Sequence, residues 1–165
     1  MRFELSHRYG APVDDVASAY ADPELYAALV GLPKLGPPEV LDCRVDGGHV
    51  HLRIRYRFTG DLAPAVTAVV NPARLTWVED SDHDLDARTV AWRMLPDHYA
   101  DRLQSSGTFK FHPDPADDSV TRRETVGDLK VRALLVAGGV ERAIVGGLRE
   151  HLDAEVAVVE RFLGR

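Results

Sequence analysis

A chain of 165 residues, 45% hydrophobic and 28% charged, has the make-up of a globular protein that needs no metal or disulfide to fold. Its 20 basic and 26 acidic residues leave a net charge of −6, which argues against nucleic acid and against docking on anionic membranes by charge alone. A lone cysteine admits no internal disulfide, no leader is visible, and no stretch nears the ~18 apolar residues of a span, so a cytoplasmic protein without a membrane span is expected.

Phe3, Leu5, His7 and Tyr9 alternate with Arg2, Glu4, Ser6 and Arg8, the period of a half-buried strand. Gly10-Ala11 breaks it. Pro12 then stands at the first turn of a helix with Val13, Val16, Ala17 and Tyr20 inward and Asp14 and Asp15 near its positive end. Asp22 caps and Pro23 opens a second helix, with Leu25, Leu29 and Val30 inward and Gly31 at its end. Pro33, Gly36, Pro37 and Pro38 mark a loop.

Val40 to Val45 and His49 to Thr59 form a hairpin across Asp46-Gly47-Gly48. Val50, Leu52, Ile54, Tyr56 and Phe58 take one face, and His49, His51, Arg53, Arg55 and Arg57 the other. An antiparallel sheet with one wet side gives that split. Within Gly60 to Arg74, Ala65 to Val70 fits either a short helix or a strand. Leu75 to Glu79 and Arg88 to Leu95 read as a hairpin across an acidic turn. Leu103 to Phe111 alternates again, Pro113 to Ser119 turns, and Val120 to Val131 is the last strand, with a bend or bulge expected at Gly127.

Gly138-Gly139 lead into one long helix, Val140 to Leu163, stopped by Gly164. Val145, Leu148, Leu152, Val156, Val159 and Leu163 form a stripe that Val140, Ile144, Gly147, Val158 and Phe162 widen to about half the circumference. The expected fold is α+β, one domain over residues 1–165. Its order is β-α-α-β6-α, a strongly bent antiparallel sheet of about seven strands wrapped around the long C-terminal helix. Such a sheet leaves space beneath its helix, where small ligands bind.

This layout resembles the helix-grip proteins of the START and birch-pollen-allergen type, the polyketide cyclase/dehydratase and lipid transport superfamily. The residues that carry the likeness are the opening strand into Ala11-Pro12-Val13-Asp14-Asp15-Val16, the Tyr20-Ala21-Asp22-Pro23-Glu24 junction, and Gly138-Gly139-Val140-Glu141. Within it the chain looks like an uncharacterised bacterial branch known only as a domain of unknown function. The resemblance implies an apolar cavity between sheet and last helix, open to lipids, sterols, polyketides or other aromatic molecules. Fold does not settle activity there.

His151 and Glu155 fall inside the apolar arc of the last helix, four residues apart. They read either as a polar anchor or acid/base pair in the cavity, or as a carboxylate at its mouth or bonded to a strand. Tyr56, Trp77, Trp92 and Phe109 from the strands, with Ile144, Gly147 and Leu148 from the helix, complete the expected ligand-binding set. Phe111 belongs to the same aromatic wall. Arg122 and Arg123 lie on opposite strand faces, so one would point indoors unless Gly127 changes the phase; a solvated strand end is the simpler expectation. His7 fits a hydrogen-bonded core histidine, and Cys43 a small buried hydrophobe.

His49 and His51 share a strand face but lack a third ligand at readable spacing, so no metal is expected. Asp80, Asp82, Asp84 and Asp86 lack the glycine and glutamate of a calcium loop and read as a solvated hairpin tip. No phosphate loop, nucleophile elbow, dinucleotide fingerprint or zinc motif is visible, and no cofactor is expected. Gly146-Gly147 weakens the helix by ~2 kcal/mol relative to alanines, for close strand approach or for ligand room. The leading expectation is a binder or carrier of an apolar small molecule. The alternatives are a cyclase/dehydratase-type enzyme using His151 and Glu155, and a protein-interaction module using the arginine face of His49 to Thr59. Homo-oligomerisation is left open.

Overall fold

The structure is a computed structural model, described over residues 1–62, 64–67, 70–132 and 137–165. Seven strands form one antiparallel sheet: β1 (Arg2–Tyr9), β2 (Glu39–Asp46), β3 (His49–Arg57), β4 (Thr76–Asp84), β5 (Thr89–Pro96), β6 (Leu103–Asp114) and β7 (Asp117–Val131). Their order is β1-β7-β6-β5-β4-β3-β2. After β1 the chain crosses to the far edge through α1 (Val13–Ala21) and α2 (Pro23–Ala28), then meanders back until β7 pairs with β1. The long helix α4 (Ala137–Phe162) packs on β1, β7, α1 and α2. This is the α+β helix-grip fold.

Local chemistry sets the boundaries. The Asp22 carboxylate accepts from the Glu24 amide at 2.9 Å and caps α2. Leu29 leaves the helical region, so Val30 turns outward and is 57% exposed, against the inward position expected for it. Gly47, at φ +57°, makes the tight β2–β3 turn. The expected acidic turn is instead strand as far as Asp84. Arg93 reaches Asp80 across the ladder at 3.3 Å, and His51 hydrogen-bonds Asp82 at 2.7 Å, so cross-strand partners hold these aspartates in the sheet. The β6–β7 turn is likewise shorter than Pro113 to Ser119. Arg8 and Arg122 bracket the buried Asp114 at 3.0 and 3.6 Å and carry both strands onward.

Gly127 is not a bulge: register runs unbroken from Phe3 through Gly127 to Gly107. A Cβ there would lie 2.3 Å from Phe3 Cζ, so the glycine makes room for a ring. Gly138 and Gly139 lie inside α4, which begins at Ala137. Helix α3 (Pro64–Thr67) and a single 3-10 turn (Pro72–Arg74) occupy the connection before β4. The expected element Ala65 to Val70 lies partly outside the described residues, as do Ala133 to Val136.

The apolar core divides in two. One cluster joins Tyr9, Val16, Leu25, Leu52, Ile54 and Val159; the other joins Phe3, Leu5, Trp92, Leu129 and Leu152. Phe109 touches both. A continuous core is the usual outcome for a domain of this size.

Candidate functional site: a closed end and an open end of the inner face

Strand alternation puts Arg123, Thr125, Leu129, Ser105, Met94, Glu79, Ile54 and Tyr56 on the face that α4 covers. At one end lies a closed polar cluster. Arg123 is fully buried and donates from Nη1 to Glu155 Oε1 at 2.9 Å. The Tyr20 hydroxyl donates to the same oxygen and bonds the Tyr9 hydroxyl at 2.9 Å. The guanidinium stacks over Tyr20, Tyr9 and Phe109 with its carbon 4.8, 5.5 and 5.4 Å from the ring centres. Burial works against its charge, but the tyrosines and Glu155 outweigh that and hold it protonated.

Two histidines brace this cluster. His7 Nδ1 accepts from Arg123 at 3.4 Å, which leaves Nε2–H facing Asp153 at 3.2 Å. Burial and the guanidinium lower its pKa, so it is a neutral acceptor near pH 7. His151 donates from Nδ1 to the Pro33 carbonyl at 3.0 Å, and its Nε2 is 3.8 Å from Glu155 Oε2, beyond hydrogen-bond range.

At the other end the face is open. Leu103, Ser105, Met94, Glu79, Trp77 and Phe109 on the sheet are only half-buried, as are Ile144, Val145, Gly147 and Leu148 on α4. One turn further along α4, Leu152, Glu155 and Val159 are buried. The helix is buried along its C-terminal half and only half-covered along its N-terminal half, where Glu141 still accepts from the Val131 amide at 2.9 Å. A Cβ on Gly146 would meet nothing within 4 Å, and one on Gly147 only Lys34 Cγ at 3.7 Å. The glycine pair does not serve close strand approach.

Glu79 sits in this opening, between Ile54 of β3 and Met94 of β5. Its carboxylate has no hydrogen-bond or ion-pair partner among the described residues. Burial first, and then the charge of Glu155, push its pKa up to about 7, with Arg123 opposing. Beside it Tyr56 and Trp77 stack, ring centres 5.8 Å apart. Burial raises the Tyr56 and Tyr26 phenols well above their ordinary range, with the Glu79 charge next in effect.

A family model described as "Protein of unknown function (DUF2505)" matches residues 4–163. The chain belongs to this family. No curated protein matches its sequence. Among solved structures, the Zhui aromatase/cyclase of a Streptomyces species superposes with a TM-score of 0.67 at 21% identity, over 99% of this chain and 95% of that one. Norcoclaurine synthase from Thalictrum flavum gives 0.64 at 18%, over 99% and 86%. A Thermus thermophilus protein gives 0.66 at 15%, over 98% and 95%. Identities this low carry the fold alone, and the fold is the START and birch-pollen-allergen type that the sequence resembles.

The sequence-derived set divides between the two ends in this DUF2505 member. His151 and Glu155 belong to the closed cluster. Trp77, Phe109, Ile144, Gly147 and Leu148 border the opening, while Tyr56 and Trp92 are buried beside it. Trp92 stacks on Phe109 and keeps an unpartnered indole N–H. Arg123 is the main correction: it is indoors, because β7 keeps its phase through Gly127 and Glu155 supplies the counter-charge. Cys43 is half-buried where full burial was expected. Tyr20 and Glu79 were not singled out. For Glu79 the signal was there, since Trp77, Glu79, Ser81 and His83 alternate against Asp80, Asp82 and Asp84.

On the outer face, His51, Asp80 and Asp82 bring three ligand atoms within 4.8 Å of one another. His51 supplies a ligand to this group and His49 does not. Arg93 at 3.3 Å and Arg53 at 3.8 Å already neutralise Asp80, which disfavours a cation there. No described helix is long and apolar enough to cross a membrane.

Proposed function

We propose that this protein binds a small, mainly apolar molecule, aromatic or lipid-like, in the opening between the sheet and the N-terminal half of α4. The observation that carries the reading is the division of the core, with half-buried Trp77, Met94, Leu103, Phe109, Ile144 and Leu148 facing one another across it. Apolar side chains left half-wet beneath a helix gain burial when a ligand enters, at roughly 25 cal/mol per Å² covered. The named relatives, an aromatase/cyclase and norcoclaurine synthase, share the architecture, which supports a ligand site in this place.

The enzyme reading through His151 and Glu155 has less support. Glu155 spends one oxygen on Arg123 and Tyr20, and His151 spends its Nδ1 proton on Pro33. Both side chains are buried away from the opening. The interaction-module reading loses part of its free charge, because Arg53 and Arg55 pair with Asp80 and Asp97. Native mass spectrometry of gently purified protein tests the binding reading. A released small molecule, or uptake of an added naphthyl compound, supports it; bare protein that takes up neither contradicts it.

A further inference from the structure

The opening has a chemical polarity that its apolar lining does not explain. A carboxyl group in a row of Leu129, Ser105, Met94, Ile54 and Val40 is expensive unless something partners it. The guanidinium whose field reaches Glu79 belongs to Arg123, and that charge is committed to Glu155 at 2.9 Å. Glu155 acts on Glu79 more strongly than Arg123 does, so the local field is negative. An anionic ligand would meet two carboxylates. The stacked rings of Tyr56 and Trp77 stand on the same face, one ladder step away along β3 and β4.

We propose, resting on the binding reading above, that the opening selects an organic ammonium ion, with its N–H groups on Glu79 and its apolar body against Trp77, Phe109 and Leu148. The carboxylate supplies charge-assisted acceptors. The aromatic faces of Tyr56 and Trp77 add the attraction of a ring for a cation. The ion also supplies the positive charge that the pairing of Arg123 with Glu155 leaves missing.

The groups that face Glu79 decide what pH does. Tyr56 from β3 and Tyr26 from α2 stay neutral phenols, held up by burial. Arg123 from β7 donates to Glu155 from α4 at 2.9 Å. His7 from β1 has its pKa lowered, and His83, four residues along β4, is pushed down to about 4. His151 of α4 is fixed on the Pro33 carbonyl. Glu79 itself has its pKa pushed up to about 7, so its charge changes between pH 6 and 8. An ammonium ion needs the ionised form, so each bound ion displaces one proton from Glu79 at the lower pH.

Three fluorescent probes of one shape test this: 2-(2-naphthyl)ethylamine, 2-(2-naphthyl)ethanol and 2-naphthylacetate, titrated into the full chain at pH 6 and pH 8. The amine should bind tightest at pH 8 and weaken about tenfold at pH 6, following the ionised fraction of Glu79. The alcohol should bind at both values without that tightening, and the acid should bind weakest. In Glu79→Gln the amine should lose its advantage and its pH dependence while the alcohol keeps its affinity, which separates lost recognition from lost folding. Equal amine binding by Glu79→Gln, or an acid that outbinds the amine, overturns the ammonium assignment and leaves the binding reading standing. Failure of all three probes to bind overturns both.

Discussion

At the Arg123 end of the inner face, the Glu155 carboxylate is buried and two neighbours answer it, a guanidinium and a tyrosine hydroxyl. At the Glu79 end an identical side chain is ringed by apolar and aromatic groups, with no described partner. One helix covers both ends, buried over the first and half-exposed over the second. The contrast separates two jobs. A buried ion pair fixes how the C-terminal half of α4 docks, and a carboxyl without a described partner under the half-exposed half keeps its capacity for a ligand.

The largest expected effect comes from breaking the closed end. Arg123→Met leaves Glu155 buried without its cation, and urea unfolding should show a loss of about 3–5 kcal/mol. Adding Glu155→Leu should return much of it, since the stranded charge is then gone. A loss under ~1 kcal/mol in the single variant would mean the pair does not hold α4. Next in size is Gly127→Ala, whose methyl would sit 2.3 Å from Phe3 Cζ. It should destabilise by about 1–3 kcal/mol in the same assay.

The open end should respond in the opposite direction. The folded-state pKa of Glu79 is raised to about 7 from the 4.5 of an ordinary glutamate. The protonated form therefore favours folding: its contribution is whole below pH 4.5 and is lost as pH rises through 7. Glu79→Gln should gain about 2 kcal/mol at pH 8, allowing for partial contact with water, and almost nothing at pH 4. Unfolding at both pH values checks this, and an equal effect at each would contradict it. Smallest is Gly146→Ala, with nothing within 4 Å to resist it. It should raise the melting temperature by the equivalent of ~1 kcal/mol, because helix propensity alone is at stake.

The fold was legible because its signals are periodic. Val50 to Phe58 alternates over a whole strand, and Val145 to Leu163 holds a helical stripe, so face and element follow from spacing alone. The closed cluster was half legible. The placement of His151 and Glu155 inside the apolar arc showed that something polar lay within, but the partner on β7 depends on strand phase. A glycine that could have shifted that phase instead accommodates the Phe3 ring. At the open end the apolar lining was legible, and Glu79 was passed over although its strand alternation was present. Glu79 precedes a run of aspartates, and local acidity suggested a turn where cross-strand arginines and a histidine keep a strand. Long-range pairing of that kind leaves no mark on sequence spacing.

The central claim, that a ligand enters beneath α4 at its half-exposed end only, is tested most directly by the two indole N–H signals in a nitrogen-15 proton correlation spectrum. Trp77 and Trp92 are the only tryptophans in the sequence, and both stand at the open end. Titration with 2-(2-naphthyl)ethanol should shift both indole signals along with the Ile144 and Leu148 amides, leaving the amides of Arg123 and Glu155 in place. Unmoved indoles, or shifts centred on Arg123 and His151, would contradict the account.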